Sequence, residues 1–213
     1  MGAIHQKMPL NENLCEFLGA LIGDGFIGNY GDRNQQYIIQ MTGDKRLDAE
    51  YFNYLTQIIK ENLNPKHISL RKPKGNTLRL TIYSKDIYKF FRNRFDFPSG
   101  RKDAITIPNE ILNNEKYLRK TIRGIFDTDG CVFWDKRKRY KNPYPRITLE
   151  TKSKALNNQL AAYLSGYFKI RNAKRKRVLG TTYLIEIYGQ LQFKKWLELI
   201  GFSNKRHLKY MPL

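Results

Sequence analysis

The sequence predicts an α+β fold made of two pseudo-symmetric halves, each with the order helix, two strands, helix, two strands, helix. Three observations predict it: a short motif that occurs twice, the same order of elements after each copy, and strands in which apolar and polar residues alternate. The alternation gives each antiparallel sheet one apolar face that helices can cover and one polar, basic face left open.

The repeated motif occupies residues 17–25 and 122–130. In both copies an apolar helix is predicted to end at an Asp-Gly pair, and a hairpin follows. An isolated Asp-Gly is a common helix-end or turn dipeptide, so one copy alone would mean little. At an offset of 129 − 24 = 105 residues, the copies place Gly19 on Gly124, Asp24 on Asp129 and Gly25 on Gly130.

The segments after each copy predict the same elements in the same order. Turn residues separate the strands, and apolar residues at helical spacing mark the helices. In the first half we expect strands 26–30, 36–41, 68–72 and 78–83 with helices 44–63 and 85–94. In the second half we expect strands 132–136, 146–150, 170–175 and 182–188 with helices 154–168 and 191–200.

This organisation divides the chain into an N-terminal half over residues 1–100, a linker over residues 101–118 and a C-terminal half over residues 119–213. Two sheets side by side would make a concave, basic saddle. A curved two-stranded ribbon can enter the major groove of DNA, where each base pair presents a distinct pattern of donors and acceptors.

Composition points to an acidic partner. The net charge is +20, with 39 Lys and Arg against 19 Asp and Glu, and neutralised phosphates release counterions and so favour binding. No stretch is long and apolar enough to span a membrane, and residues 1–10 have no signal-peptide core. Two cysteines and three scattered histidines form no disulfide framework or zinc motif. We expect an intracellular protein, in cytoplasm or organelle matrix, that is neither secreted nor membrane-bound.

The motif helices are predicted to pack on each other. Gly19 and Gly23 lie four residues apart on one face, and their counterparts Gly124 and Thr128 are also small, which permits close backbone approach. This packing would bring together two carboxylates at the helix C-termini, where partial negative charge disfavours them. A divalent cation would offset that repulsion, and hard oxygen ligands suit Mg²⁺. The pair therefore predicts metal-assisted phosphodiester hydrolysis.

The two motifs resemble those of the LAGLIDADG homing endonucleases in the monomeric, two-motif form. The resemblance implies two αββαββα halves, and it implies that Asp24 and Asp129 are metal ligands, assisted by the backbone carbonyls of Gly23 and Thr128. The first motif departs from the family name at Ile22 and Gly23, but the final acid is retained. Asp127 matches a non-catalytic acid of the family, with a capping or packing role.

The family also places basic residues around the metals. Lys152 follows the second strand of the C-terminal half and matches such a position, although its counterpart near Lys45 is shifted. Lys102 and Lys205 lie beyond the last helix of each half and are the other candidates. Any single lysine in so basic a chain is more often a phosphate contact or a solvated residue.

We expect the DNA contacts on the open faces and in the basic hairpin loops. Gln suits adenine and Arg suits guanine, whereas loop charge serves phosphates. The candidates are Arg33, Gln36, Gln40, Arg71, Arg79, Lys136, Arg137, Arg146, Arg171 and Arg175. Because the halves differ, the target should be asymmetric.

The sequence thus predicts a magnesium-dependent homing endonuclease, in which Mn²⁺ substitutes and Ca²⁺ supports binding without efficient cleavage. Its product would be a staggered double-strand break in a long, asymmetric duplex. Two alternatives stay open: a maturase that binds its own intron RNA, and a non-catalytic DNA-binding regulator. Retention of Asp24 and Asp129 argues against both.

Overall fold

The protein has an α+β fold with two four-stranded antiparallel sheets, as the sequence predicts. The computed structural model describes residues 9–31, 36–137, 143–178 and 180–209. The strand order is β1-β2-β4-β3 in the first sheet and β5-β6-β8-β7 in the second. The repeated order of elements and the repeated strand order confirm the pseudo-symmetry predicted from the two motifs.

The first half contains three helices and four strands in the predicted αββαββα order. These are α1 (Glu12–Asp24), β1 (Gly25–Tyr30), β2 (Gln36–Asp44), α2 (Ala49–Leu63), β3 (His67–Arg71), β4 (Thr77–Tyr83) and α3 (Lys85–Phe95).

A short helix and the same order of elements make up the rest of the chain. These are α4 (Asn109–Leu112), α5 (Glu115–Thr128), β5 (Gly130–Asp135), β6 (Tyr144–Thr151), α6 (Lys154–Ser165), β7 (Ile170–Arg177), β8 (Gly180–Tyr188), α7 (Gln190–Leu199) and a 3-10 turn at Lys205–His207.

Some predicted boundaries are wrong. Helix α2 begins at Ala49 rather than at residue 44, because β2 continues to Asp44. The Asp44 carboxylate then accepts hydrogen bonds from the Arg46 and Leu47 amides, which closes a turn before the helix. Helix α6 ends at Ser165, three residues before the predicted end. The helix α5 begins at Glu115, inside the segment predicted as a linker.

Helices α1 and α5 lie against each other at the centre of the molecule. Helix α1 is mostly apolar apart from the buried Glu16, and every residue from Leu14 to Gly23 is buried, as expected of a helix enclosed by protein. The two backbones touch at glycines: a Cβ on Gly19 would collide with the Thr121 carbonyl, and one on Gly124 would collide with the Glu16 carbonyl. The predicted close packing of the motif helices is confirmed.

The sheet faces also follow the predicted alternation. In β4, Leu78, Leu80 and Ile82 are buried, while Arg79 and Tyr83 are exposed. In β6, Ile147 and Leu149 are buried under the helices. Each sheet therefore has one face in the core and one open face.

The segment after the last helix of each half packs against the other half. After α3, the main chain at Ile107 makes two hydrogen bonds with the Gln159 side chain of α6. After α7, the Asn204 side chain donates to the Asp48 carboxylate at the start of α2, 2.8 Å away. We call residues 96–108 and 200–209 the crossing segments. They bind the halves together in addition to the α1–α5 contact.

No helix in the described part of the chain is long and apolar enough to cross a membrane.

Candidate active site at the ends of the motif helices

Asp24 and Asp129 lie together where α1 and α5 end. Both side chains keep exposed surface, yet protein atoms crowd the Asp129 carboxyl. This desolvation and the adjacent charge of Asp24 raise the pKa of Asp129 to about 7, while Lys102 opposes the shift. The structure thus brings the two predicted acids side by side, each within reach of the other's charge.

Lys102 lies at the C-terminal end of α1, within the first crossing segment. Its ammonium donates to the carbonyls of Leu21 (3.1 Å), Ile22 (3.0 Å) and Gly23. Burial lowers the pKa of Lys102, and the charges of Asp129 and Asp24 act in the opposite direction. A cation at this end of the helix complements the partial negative charge of its last carbonyls. The predicted catalytic lysine therefore lies beside the acid pair.

The C-terminal end of α5 is covered differently. The Arg206 guanidinium donates to the Thr128 carbonyl and is held by the Asp48 carboxylate at 3.0 Å. Asn204 Nδ2 lies 3.2 Å from the Asp127 carbonyl, and the His207 ring lies 3.2 Å from the same oxygen. Arg206 also acts on Asp129, since its charge lowers the pKa of that carboxyl. The side chains of Asn204, Arg206 and His207 thus contact the last carbonyls of α5, as the Lys102 ammonium contacts those of α1.

The prediction for Lys205 requires a correction. Its ammonium pairs with Glu50 in the first turn of α2, at 2.6 Å, with both side chains largely exposed. The neighbouring Arg206 takes the position expected for Lys205, because the short 3-10 turn directs consecutive side chains apart. Lys152 is exposed just after β6, and its catalytic role stays a prediction.

Asp127 is fully buried and accepts hydrogen bonds from the amides of Ser203 (3.0 Å) and Asn204 (3.1 Å). Burial raises its pKa to about 7. It fixes the second crossing segment at the end of α5, which agrees with the capping role implied for it by the family.

The donor set at the acid pair fits a divalent cation. It offers two carboxylates, and each carbonyl oxygen of Gly23 and Thr128 keeps a second lone pair beside the hydrogen bond that it accepts. All of these are hard oxygen donors, the kind that Mg²⁺ binds. Among the described residues, His, Cys, Asp and Glu side chains form no group of three or more that could hold a metal ion. A metal here would therefore depend on main-chain, water or phosphate oxygens as well.

The predicted DNA-contact residues of the first half that the structure describes lie on the open face of the first sheet. Gln36, Arg71 and Arg79 are exposed, and Gln40 is partly exposed. Within the described residues, none of them takes part in a salt bridge. Arg33 lies outside the described residues.

The open face of the second sheet carries acids that the sequence-based prediction overlooked. Arg146 was expected to read a base, but its side chain is only 13% exposed and is held by Asp135 (3.2 Å) and Glu186 (2.7 Å). The Asp135 carboxylate also binds Arg137, and these arginines hold the pKa of Asp135 well below its usual range. Arg171 lies 3.7 Å from Glu186. Lys136 is exposed after β5.

A third acid on this face, Glu150, forms salt bridges with two arginines of β7. It binds Arg177 at 2.6 Å and Arg175 at 3.1 Å, and with Thr182 these contacts lower the pKa of Glu150 to about 2. Predicted contacts Arg146, Arg171 and Arg175 are therefore already engaged within the protein.

The fold and the paired helix ends define a class of protein: a two-motif α+β protein with an acid pair between its halves. Residues 116–201 match the family model of the LAGLIDADG-like domain. The described residues have the fold of the LAGLIDADG homing endonucleases.

Three solved structures show this fold, each at an identity that is evidence for the fold alone. I-DmoI in complex with DNA and Ca has a TM-score of 0.64 at 22% identity, covering 89% of this chain and 88% of that one. The LAGLIDADG meganuclease I-AabMI bound to uncleaved DNA has a TM-score of 0.59 at 13% identity, covering 93% and 87%. The homing endonuclease I-WcaI bound to its DNA recognition sequence has a TM-score of 0.58 at 18% identity, covering 97% and 89%.

Two curated relatives bear the name replication factor C small subunit. The protein from Methanocaldococcus jannaschii is 28% identical over 209 residues, and that from Thermococcus kodakarensis is 25% identical over 214 residues. Each match covers 97% of this chain but only 10% and 21% of the respective relative. The chain thus spans a small part of both relatives.

Proposed function

We propose that this chain is a site-specific homing endonuclease that makes a staggered double-strand break in a long, asymmetric DNA duplex. The observation that carries the proposal is the placement of Asp24 and Asp129 side by side at the ends of two motif helices, which pack so closely that a Cβ on Gly23 would lie 3.5 Å from the Asp129 carboxyl carbon. The LAGLIDADG-like domain and the fold support it, since the neighbouring structures were solved with DNA and with Ca, Mn or Mg.

In this proposal the two open sheet faces form a saddle on which the duplex lies, with the acid pair beneath the backbone. Asp24 and Asp129 would hold Mg²⁺, with Mn²⁺ as a substitute. When bound, the metal supplies Lewis-acid activation of water and neutralises charge on the attacked phosphate. The chain acts as a monomer, because both motifs are present in one polypeptide.

The side chains around the acids have separate roles. Lys102 lies close enough to Asp129 to lower the pKa of that carboxyl, and the charges of both acids act on Lys102 in turn. Its ammonium can therefore order water and stabilise charge that develops on the phosphate. Arg206 provides the second cation at the end of α5. Asp127 and Asp48 do not reach the reacting atoms; they position the segment that carries Arg206.

Asp24→Asn and Asp129→Asn test this active site. A duplex is first selected by wild-type binding in Ca²⁺ from a random-sequence library, and the variants are then assayed for binding in Ca²⁺ and for nicking in Mg²⁺. Binding should persist, because the sheets are untouched and the site becomes less negative. Cleavage should fall at least about 100-fold, since loss of even an indirect metal partner typically costs 10–100-fold.

Glu198→Gln is the matched control, because it removes one exposed carboxylate far along the chain on α7. It should leave cleavage unchanged. Undiminished double-strand cleavage by either aspartate variant would rule out this active site.

A further inference from the structure

Two arginines face each other on the open face of the first sheet. Arg71 of β3 is the direct cross-strand partner of Arg79 of β4, and Thr42 of β2 lies on the other side of Arg79 in the same row. Both guanidinium groups belong to exposed residues. Within the described residues, neither is part of a salt bridge. Like charges directly opposite each other destabilise a sheet, so this row is unfavourable until an electronegative partner arrives from outside.

The second sheet has no such pair at the equivalent row. The register pairs Gly25 with Met41 in one half and Gly130 with Leu149 in the other, which places Glu150 where the first sheet has Thr42. The same row then continues with Leu184 and Ala173 in place of the two arginines.

The side chains in that row of the second sheet are also less accessible to a ligand. Leu184 is only 2% exposed although it lies on the open face. Glu150 beside it is occupied by Arg175 and Arg177. The arginines near this row therefore satisfy an internal acid, whereas those of the first sheet remain available to a ligand.

The arginine row lies at the catalytic end of the sheet. Gly25 directly follows Asp24 in the chain and pairs with Met41, the neighbour of Thr42. Gln36 lies six positions further along β2, which is roughly 20 Å away at about 3.3 Å per residue. At about 3.4 Å per base pair, that distance corresponds to roughly six base pairs. The arginine row would therefore face the bases next to the cut, and Gln36 the outer bases.

We propose that Arg71 and Arg79 read guanines beside the cleavage position in one half of the target, and that the other half-site has no equivalent requirement. The inference rests on the proposed function. Arginine can donate two parallel hydrogen bonds to O6 and N7 of guanine, which two adjacent, unoccupied guanidinium groups are suited to do. Base discrimination near the cut would thus be carried mainly by the N-terminal half.

The test selects duplexes from a random-sequence library in Ca²⁺ with wild type, Arg71→Lys, Arg79→Lys and Arg175→Lys. Lysine keeps the charge but lacks the planar fork of donors. Arg71→Lys and Arg79→Lys should each lose guanine preference at a central position on one side, by about 5- to 150-fold. Affinity for unselected duplex should stay the same in both. Arg175→Lys should reproduce the wild-type profile, because Glu150 already engages that side chain. Circular dichroism checks folding.

Each other outcome overturns the inference. If Arg71→Lys and Arg79→Lys keep the guanine preference, the two residues contact phosphates only. If Arg175→Lys lowers base preference in the selected duplexes as much as the other two variants do, the two halves are equivalent. A wild-type protein that enriches no duplex at all would instead refute the proposed function itself, which is a separate result from a wild-type profile that the lysine variants leave unchanged.

Discussion

The two halves share one order of elements, but they differ where the chemistry is expected. One motif helix ends at a single side chain, Lys102, whose ammonium donates to three carbonyls. The other ends at a set of side chains from the second crossing segment, in which Arg206 is fixed by the buried Asp48. The sheets differ in the same sense, since the arginines of the second are held by internal acids. The repeat thus conserves architecture while the two sites have become chemically unequal.

The largest effect should come from the glycines at which the halves touch. Gly19→Ala and Gly124→Ala each place a methyl group on a backbone carbonyl of the facing helix, which cannot shift as a side chain can. We expect a loss of roughly 3 kcal/mol or more, at the upper end of overpacking costs. Urea denaturation measures it. Gly166→Ala, where a Cβ would lie 3.4 Å from the Tyr163 carbonyl, is the control and should cost under about 1 kcal/mol. Equal, small losses of stability in all three variants would mean that α1 and α5 pack less closely than the structure shows.

A second comparison concerns the residues just before α2 and α6, which stand at the same offset of 105 residues (153 − 48). Asp48→Asn removes the buried partner of Arg206 and should cost about 3 kcal/mol, since Arg206 is partly exposed and such losses run from about 3 to 5 kcal/mol. Ser153→Ala removes both a helix cap and the hydrogen bond that the Ser153 hydroxyl donates to the Ile105 carbonyl, and should cost about 2 kcal/mol. Chemical denaturation compares them. A larger loss for Ser153→Ala would contradict the asymmetry between the crossing segments.

The two cations should be separable by strand. Lys102→Met and Arg206→Met should each slow cleavage by about 10- to 100-fold, as is typical for residues that support a metal site. If the two sites are unequal, each variant should accumulate duplex nicked mainly in a different strand. Labelled strands on denaturing gels resolve this, and Lys205→Met serves as the control because it pairs with Glu50 instead. The same strand bias in both variants would show that the sites work as one.

The last comparison concerns a pH dependence in the second crossing segment. Burial, and then the charge of Arg206, lower the pKa of His207 from 6.5 to about 4, against weaker opposing effects of the Asp127 carbonyl and Asp48. The unfolded chain therefore takes up the proton first, so this group's stability contribution is present above pH 6.5 and is lost as pH falls towards 4. Between pH 7 and pH 5 we expect about 2 kcal/mol.

His207→Gln isolates that contribution. Burial raises the pKa of Asp127, so the contribution of Asp127 to stability changes with pH in the opposite direction. That contribution is present in both proteins and cancels in the difference between them. The stability difference between wild type and His207→Gln should shrink by that amount as the pH falls from 7 to 5. A difference that does not vary with pH would mean that the ring is not buried in its neutral form.

Sequence reasoning predicted the order of elements, the sheet faces, the helix contact and the acid pair, because each depends on local pattern or on the repeat. The Asp48–Arg206 contact could not be found this way, since it joins residues 158 positions apart. The offset of 105 aligns Asp48 with Ser153 and so could have marked Asp48 as a helix-start residue, but not its partner. Alternation likewise placed Arg146 on the open face correctly, yet it could not show that Asp135 and Glu186 hold it there. Register and side-chain packing decide such contacts.

The crossing segments have a consequence for any attempt to take the molecule apart. Each of them leaves its own half and completes the start of a helix in the other, through Ile105 with Ser153 and Asn204 with Asp48. A cut between the αββαββα units would therefore strip each fragment of a contact that the opposite fragment provides. Recombining halves from different proteins would preserve these joints only if a crossing segment and the helix that receives it are exchanged together. The modular unit of this protein is thus a half together with the other half's tail.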